Sequence, residues 1–241
     1  MTVANSLRRA GVAAGIAALL AFAFCANASA FPLRSPQVPL QTGWDGISLQ
    51  TYLNSVGEGL NTLTDQLDAE VWNGPASGGA TLSLRMEIAG YASQNNIGIY
   101  NASLVSPPLC LVFPGAATPG WYAVCNFVAG NHLIVNLYDN NNVFQGSTNY
   151  SNVSSQDFGF YLQGPGGTFY TQDYRNPGGH PQVLAFAGTG QYLGKWWECF
   201  EDLPYASSDV DFQDSILLLD SSFVPTPVLG TTWGALKALY R

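Results

Sequence analysis

Seven carboxylates, Glu198, Glu201, Asp202, Asp209, Asp211, Asp214 and Asp220, fall within 23 residues that contain no lysine or arginine. Like charges at this density repel one another, so water and salt, or a bound cation, must offset them. Calcium suits such a set, because it takes about six to eight oxygen ligands from carboxylates, loop carbonyls and water. The candidate metal ligands are Glu201, Asp202, Asp209, Asp211 and Asp214. Asp209 and Asp211 stand two apart and would project to one side of an extended segment. Asp214 opens the apolar run Ser-Ile-Leu-Leu-Leu, and Glu201 and Asp202 close the run before it. Folding the two runs as a hairpin brings both acidic groups to one end of a sheet. The helix-loop-helix calcium loop is excluded, since its sixth-position glycine and terminal glutamate are missing. A solvated turn whose aspartates cap the backbone is the other reading, and spacing alone leaves both open.

The elements that must position these residues read as strands. TLSLRMEIA alternates Leu82, Leu84, Met86 and Ile88 with Ser83, Arg85 and Glu87, the period of a half-buried antiparallel strand. Further short runs follow: NIGIY, LCLVF, WYAVCNF, HLIVNLY, FGFYLQ, TFYT, QVLAF, KWWECF and DFQDSILLLD. Turns rich in Gly, Pro and Asn separate them. The expected fold is an all-β, antiparallel, jelly-roll-like β-sandwich over residues 46–220, with one short N-terminal helix. That helix is expected over about 46–56, where Leu49, Leu53 and Val56 keep a helical period until Gly57. Residues 31–45 read as an extended Pro-rich lead-in, and residues 221–241 as a linker and short tail. Hydrophobic residues at 47% and charged residues at 10% exclude intrinsic disorder.

Residues 1–30 read as a secretory signal: Arg8 and Arg9, an apolar run from Ala10 to Ala26, and Ala28-Ser29-Ala30 as the cleavage site. Cleavage leaves 6 basic and 16 acidic residues, 6 − 16 = −10, against −8 for the whole chain. Such a charge argues against nucleic acid and anionic membranes as partners. The mature chain contains no apolar stretch long enough to span a bilayer as a helix. Loss of Cys25 would leave Cys110, Cys125 and Cys199. In an oxidising compartment, Cys110 and Cys125 on adjacent strand-like runs are the candidate disulfide, with three buried free thiols as the alternative.

FGFYL, FYT, a Gly-rich turn with His180, LAF, and then FEDL followed by D-x-D-F-x-D occupy Phe158–Leu162, Phe169–Thr171, Leu184–Phe186, Phe200–Leu203 and Asp209–Asp214. With EIAGYASQNNIGIYN upstream, this pattern resembles the bacterial exported domain of unknown function forty-one-fourteen. The similarity spans roughly residues 82–220. It departs at Gln213, where the family often has Asn, and in Trp196, Trp197 and Cys199 before FEDL. It implies a β-rich exported domain, often on proteins handled by cell-surface sorting systems, and no established reaction. VPTP at 224–227 is similar to the start of an exosortase tail, without that tail's apolar stretch and arginine cluster.

No nucleophile elbow, zinc-protease helix or phosphate loop occurs in the chain. His132 reads as a strand-edge residue and His180 as a solvated turn residue. Two acids among Glu198, Glu201 and Asp202 could serve glycoside hydrolysis only at the correct separation. The expectation is therefore a non-catalytic, secreted surface or matrix protein, calcium-stabilised, with extracellular polysaccharide or other surface proteins as partners. The alternative is a carbohydrate-binding module that stacks sugars on exposed aromatics, with Trp196 and Trp197 as its candidate residues.

Overall fold

A computed structural model of the chain describes residues 31–43, 45–74, 78–87, 89–220 and 224–226. The expected leader with Cys25, Ile88, the side chain of Met86 and the Trp233–Arg241 tail lie outside the described residues.

Two antiparallel sheets form a β-sandwich with one short helix. The first sheet runs β10 (Val183–Ala187), β11 (Trp196–Phe200), β12 (Ser215–Leu219), β2 (Gly78–Met86), β5 (Tyr122–Val128), β6 (His132–Tyr138) and β7 (Phe144–Ser151). The second runs β13 (Val224–Thr226), β1 (Val71–Asn73), β8 (Phe158–Gly164), β3 (Asn96–Asn101) and β4 (Leu109–Phe113), with β9 (Gly167–Tyr170) also pairing β8.

Period-two alternation sets the core between the sheets. Leu82 and Leu84, Ala123, Cys125 and Phe127, and Leu217 and Leu219 meet Ile97 and Ile99, Cys110 and Val112, and Phe158, Phe160 and Leu162. The first sheet is buried on its other face as well. There Phe186, Trp197, Cys199, Ile216 and Leu218 lie under Leu49 and Leu53 of α1 (Leu49–Ser55), with Leu60, Val210 and Phe212. β11 and β12 are therefore buried along their whole length.

The helix is shorter than the expected 46–56. It starts at Leu49 because Ser48 caps it, its Oγ accepting the N–H of Thr51 at 3.1 Å. It stops before Gly57, whose φ of 88° is left-handed. The lead-in is tied into the domain. Leu33 bridges Leu67, Leu67 bridges Ala185 of β10, and the Phe31 ring packs edge-on to Trp196 at 4.9 Å.

The expected Cys110–Cys125 disulfide is absent. β4 and β5 follow one another in the chain but belong to opposite sheets, so the two thiols are not on neighbouring strands. Cys110, Cys125 and Cys199 are free and buried. No helix among the described residues is long and apolar enough to cross a membrane.

Candidate metal centre

β11 and β12 pair from Trp196–Leu219 to Phe200–Ser215, and the loop between them carries five of the acids. The hairpin delivers Glu201 and Asp202 to the same sheet end as Asp214. Asp209 and Asp211 arrive differently from the extended segment that their spacing suggests. Val210 and Phe212 have φ of 56° and 55°, left-handed values that cost about 1–3 kcal/mol each for a side chain-bearing residue. Both side chains are buried in the core under α1, which offsets that cost.

In this kinked backbone, one oxygen each from Glu201, Asp209 and Asp211 lies within 4.8 Å of the other two. Glu201 and Asp211 are buried, and Asp209 is half-buried. Glu201 accepts the backbone N–H of Phe212 at 2.7 Å through Oε1, while its buried Oε2 meets no donor. Asp211 accepts the backbone N–H of Gln213 at 3.0 Å and its side-chain Nε2 at 2.8 Å. The same Nε2 donates to Asp45 Oδ1 at 2.9 Å, so residue 213 orients two carboxylates as a donor. Gly43 passes directly over Asp211, where a Cβ would collide with its carboxylate.

Asp202 and Asp214 are not part of the triad. Asp214 Oδ2 accepts the backbone N–H of Asp202 at 2.8 Å, and Asp202 Oδ2 accepts Asn95 Nδ2 at 2.9 Å. The pair adjoins the triad, for Glu201, Asp202, Asp209 and Asp214 together line a cleft of about 280 Å³ with Tyr91. Burial, followed by the charges of Asp202 and Glu201, pushes the Asp214 carboxyl up to about 9. Burial pushes Glu201 up to about 8, with the charge of Asp211 raising it and the Phe212 N–H opposing. Asp211 rises to about 6, again chiefly through burial. Without a cation, then, this corner holds protons at neutral pH.

The other two acids of the sequence cluster lie elsewhere. Asp220 pairs with Lys195 at 3.5 Å, at the far end of the two strands. Glu198 points between the sheets, fully buried, with neither oxygen hydrogen-bonded. Burial raises its pKa well above the usual range, and the charge of Arg34 opposes that rise.

Trp196 and Trp197 are not surface aromatics, which corrects their assignment as a sugar-stacking pair. Trp196 packs edge-on to Trp72 at 5.4 Å between the sheets. Trp197 faces α1, and its Nε1 donates to Glu58 Oε1 at 2.6 Å. Spacing pointed to the acidic corner but missed Asn95, Asp45 and Glu58, which reach their partners across more than a hundred residues. No protein-family model, curated protein or solved structure matches the chain.

Proposed function

We propose that this chain is an exported bacterial protein of the cell surface or extracellular matrix, without a reaction of its own, whose acidic corner is tightened by calcium. The observation that carries the cation is Glu201. Its carboxyl is fully buried, its Oε2 meets no donor, and oxygens of Asp209 and Asp211 stand within 4.8 Å. Calcium–oxygen distances of about 2.3–2.6 Å allow three oxygens at this spacing to share one ion, with loop carbonyls and water completing the shell. An all-carboxylate donor set favours a hard cation over zinc or copper.

The ion would act by replacing protons. Glu201 opens the loop and Asp209 and Asp211 lie near its end, so one cation ties both halves of the loop to the sheet. Because the three oxygens converge only in the folded chain, binding stabilises the native state by mass action. Export rests on the signal-like first thirty residues, and the bacterial surface placement on the resemblance carried by FEDL and D-x-D-F-x-D.

Calcium titration followed by thermal melting and by terbium luminescence, sensitised through Tyr91, tests this. The midpoint is expected to rise with calcium and to return on adding EGTA. An unchanged midpoint with no terbium signal overturns the cation.

A further inference from the structure

A second cleft, of about 510 Å³, lies between the lead-in and the loop that follows β9, a volume within the ~300–1,000 Å³ of small-molecule sites. Arg34, Gln37, Asp68, Asp173, His180 and Tyr205 line it. The strand-like pairing of residues 32–34 with 66–68 brings Arg34 and Asp68 together. Arg34 N–H donates to Gln66 O, and Asp68 N–H to Pro32 O, each at 2.9 Å. Arg34 is 6% exposed, and its Nη1 is paired with the carboxylate of Asp173.

The opposite wall is equally fixed. Asn176 clamps Tyr170 through both backbone groups, accepting its N–H at 2.8 Å and donating to its carbonyl at 2.9 Å. Gly178 and Gly179, at φ 71° and 70°, then turn the chain toward His180. A Cβ on Gly178 would lie 2.8 Å from the His180 ring. That ring stacks on Tyr205 at 4.8 Å and 10°. Tyr205 is held in turn by buried Gln182, which accepts its N–H and donates to Leu203 O, both at 2.7 Å.

The lining carries charges of both signs, the guanidinium of Arg34 beside the carboxylates of Asp68 and Asp173. Their chemistry restricts what the cleft can hold. An anion would face Asp68 and Asp173, and a metal ion would face the guanidinium of Arg34. A neutral ligand bearing adjacent hydroxyls meets neither objection. Its O–H groups donate to the carboxylates, and its oxygens accept from Arg34. Its C–H faces find apolar walls in Pro36, Pro39, Pro181 and the stacked rings.

We infer that this cleft binds a neutral saccharide. The inference goes beyond the cation reading, sharing with the acidic corner only the loop that carries Tyr205.

Calorimetry of the full chain against neutral oligosaccharides of glucose, mannose, galactose and xylose tests it, with sialylated and sulfated glycans as anionic controls. Each titration is run in calcium and in EGTA, which separates this result from the fate of the cation. At least one neutral oligosaccharide is expected to bind, and Asp68→Asn and Tyr205→Ala are each expected to weaken it at least tenfold. Asp68→Asn preserves size and the backbone pairing, and Tyr205→Ala, which also removes packing against the cluster under α1, is compared at a temperature where the unliganded variant is folded. A panel blank in both buffers, binding of anionic glycans alone, or binding that survives both substitutions overturns the inference.

Discussion

The backbone N–H of Asp202 lies 2.8 Å from Oδ2 of Asp214, so the residue that enters the acidic loop is hydrogen-bonded to the residue that leaves it. This bond closes the loop at its base. Asp214 is protonated at neutral pH in the absence of a cation, since burial and neighbouring charge raise it to about 9. Asp214→Asn keeps an acceptor oxygen and removes no charge, so its stability at pH 7 in EGTA should stay within about 1 kcal/mol of the parent. Asp214→Ala leaves the buried N–H of Asp202 unpaired and should cost about 1–3 kcal/mol. Urea unfolding of the two variants measures the difference, and equal losses would refute the role of the bond.

Glu201→Gln and Asp209→Asn each remove one carboxylate that could ligate the ion without changing the shape of the triad. In the parent, calcium at about a hundred times its dissociation constant adds about 2.7 kcal/mol, roughly 5–11 °C in a domain of this size. Both substitutions should abolish most of that shift, while Asp220→Asn, at the far end of the strands, should retain it. Melts across a calcium series decide the matter, and a full shift in Glu201→Gln would exclude the triad.

Stability in EGTA should fall as pH rises. Glu201 and Asp214 titrate near 8 and 9 in the folded chain, and Glu70, half-buried beside Asp173, near 7. Unfolded carboxyls titrate near about 4. Between these values the native state holds more protons than the unfolded one, so the slope of stability against pH is negative. The contribution is complete below about pH 4 and declines from there until these groups have titrated in the folded chain, at about pH 7 to 9. Calcium, by taking the place of the protons on Glu201, should flatten the upper part of this decline. Midpoints at pH 5, 6, 7 and 8 with and without calcium provide the check.

Cys110, Cys125 and Cys199 should be unreactive toward iodoacetamide in the native protein and fully alkylated in guanidinium. All three are free and buried. Burial pushes the Cys110 thiol up to about 12 and raises the Cys125 and Cys199 thiols as well, which suppresses the reactive thiolate. Intact mass after labelling reads the outcome, and a native mass two hydrogen atoms short of the reduced chain would reveal a disulfide.

Strands that bury one or both faces were legible in the sequence, because Leu82 and Leu84, or Trp196 through Phe200, carry an apolar signal that period or continuity exposes. β7 was not. FQGSTNYS is mostly exposed, and as the outermost strand beyond β6 it contains little apolar alternation to read. The acidic corner was half legible. Clustered charge marked the loop, but the left-handed turns at Val210 and Phe212 decide that Asp211 joins Glu201 while Asp214 turns to Asp202. Trp196 and Trp197 misled because a strand buried on both faces displays aromatics on each: the opposite sheet covers Trp196 and α1 covers Trp197. The Arg34 cleft left no local trace. Its lining comes from residues 34, 68, 173 and 205, distant in sequence.

β12 lies in the middle of its sheet, between β11 and β2, and its Leu217 pairs with Leu84 far earlier in the chain. A polypeptide that ends before Ser215 therefore has two separate half-sheets, each with an open seam ready to pair with whatever strand comes first. Closing that seam requires a long-range encounter, which makes assembly slow and all-or-none. Of the seven strands of its sheet, the one made last is thus the one that joins the two halves.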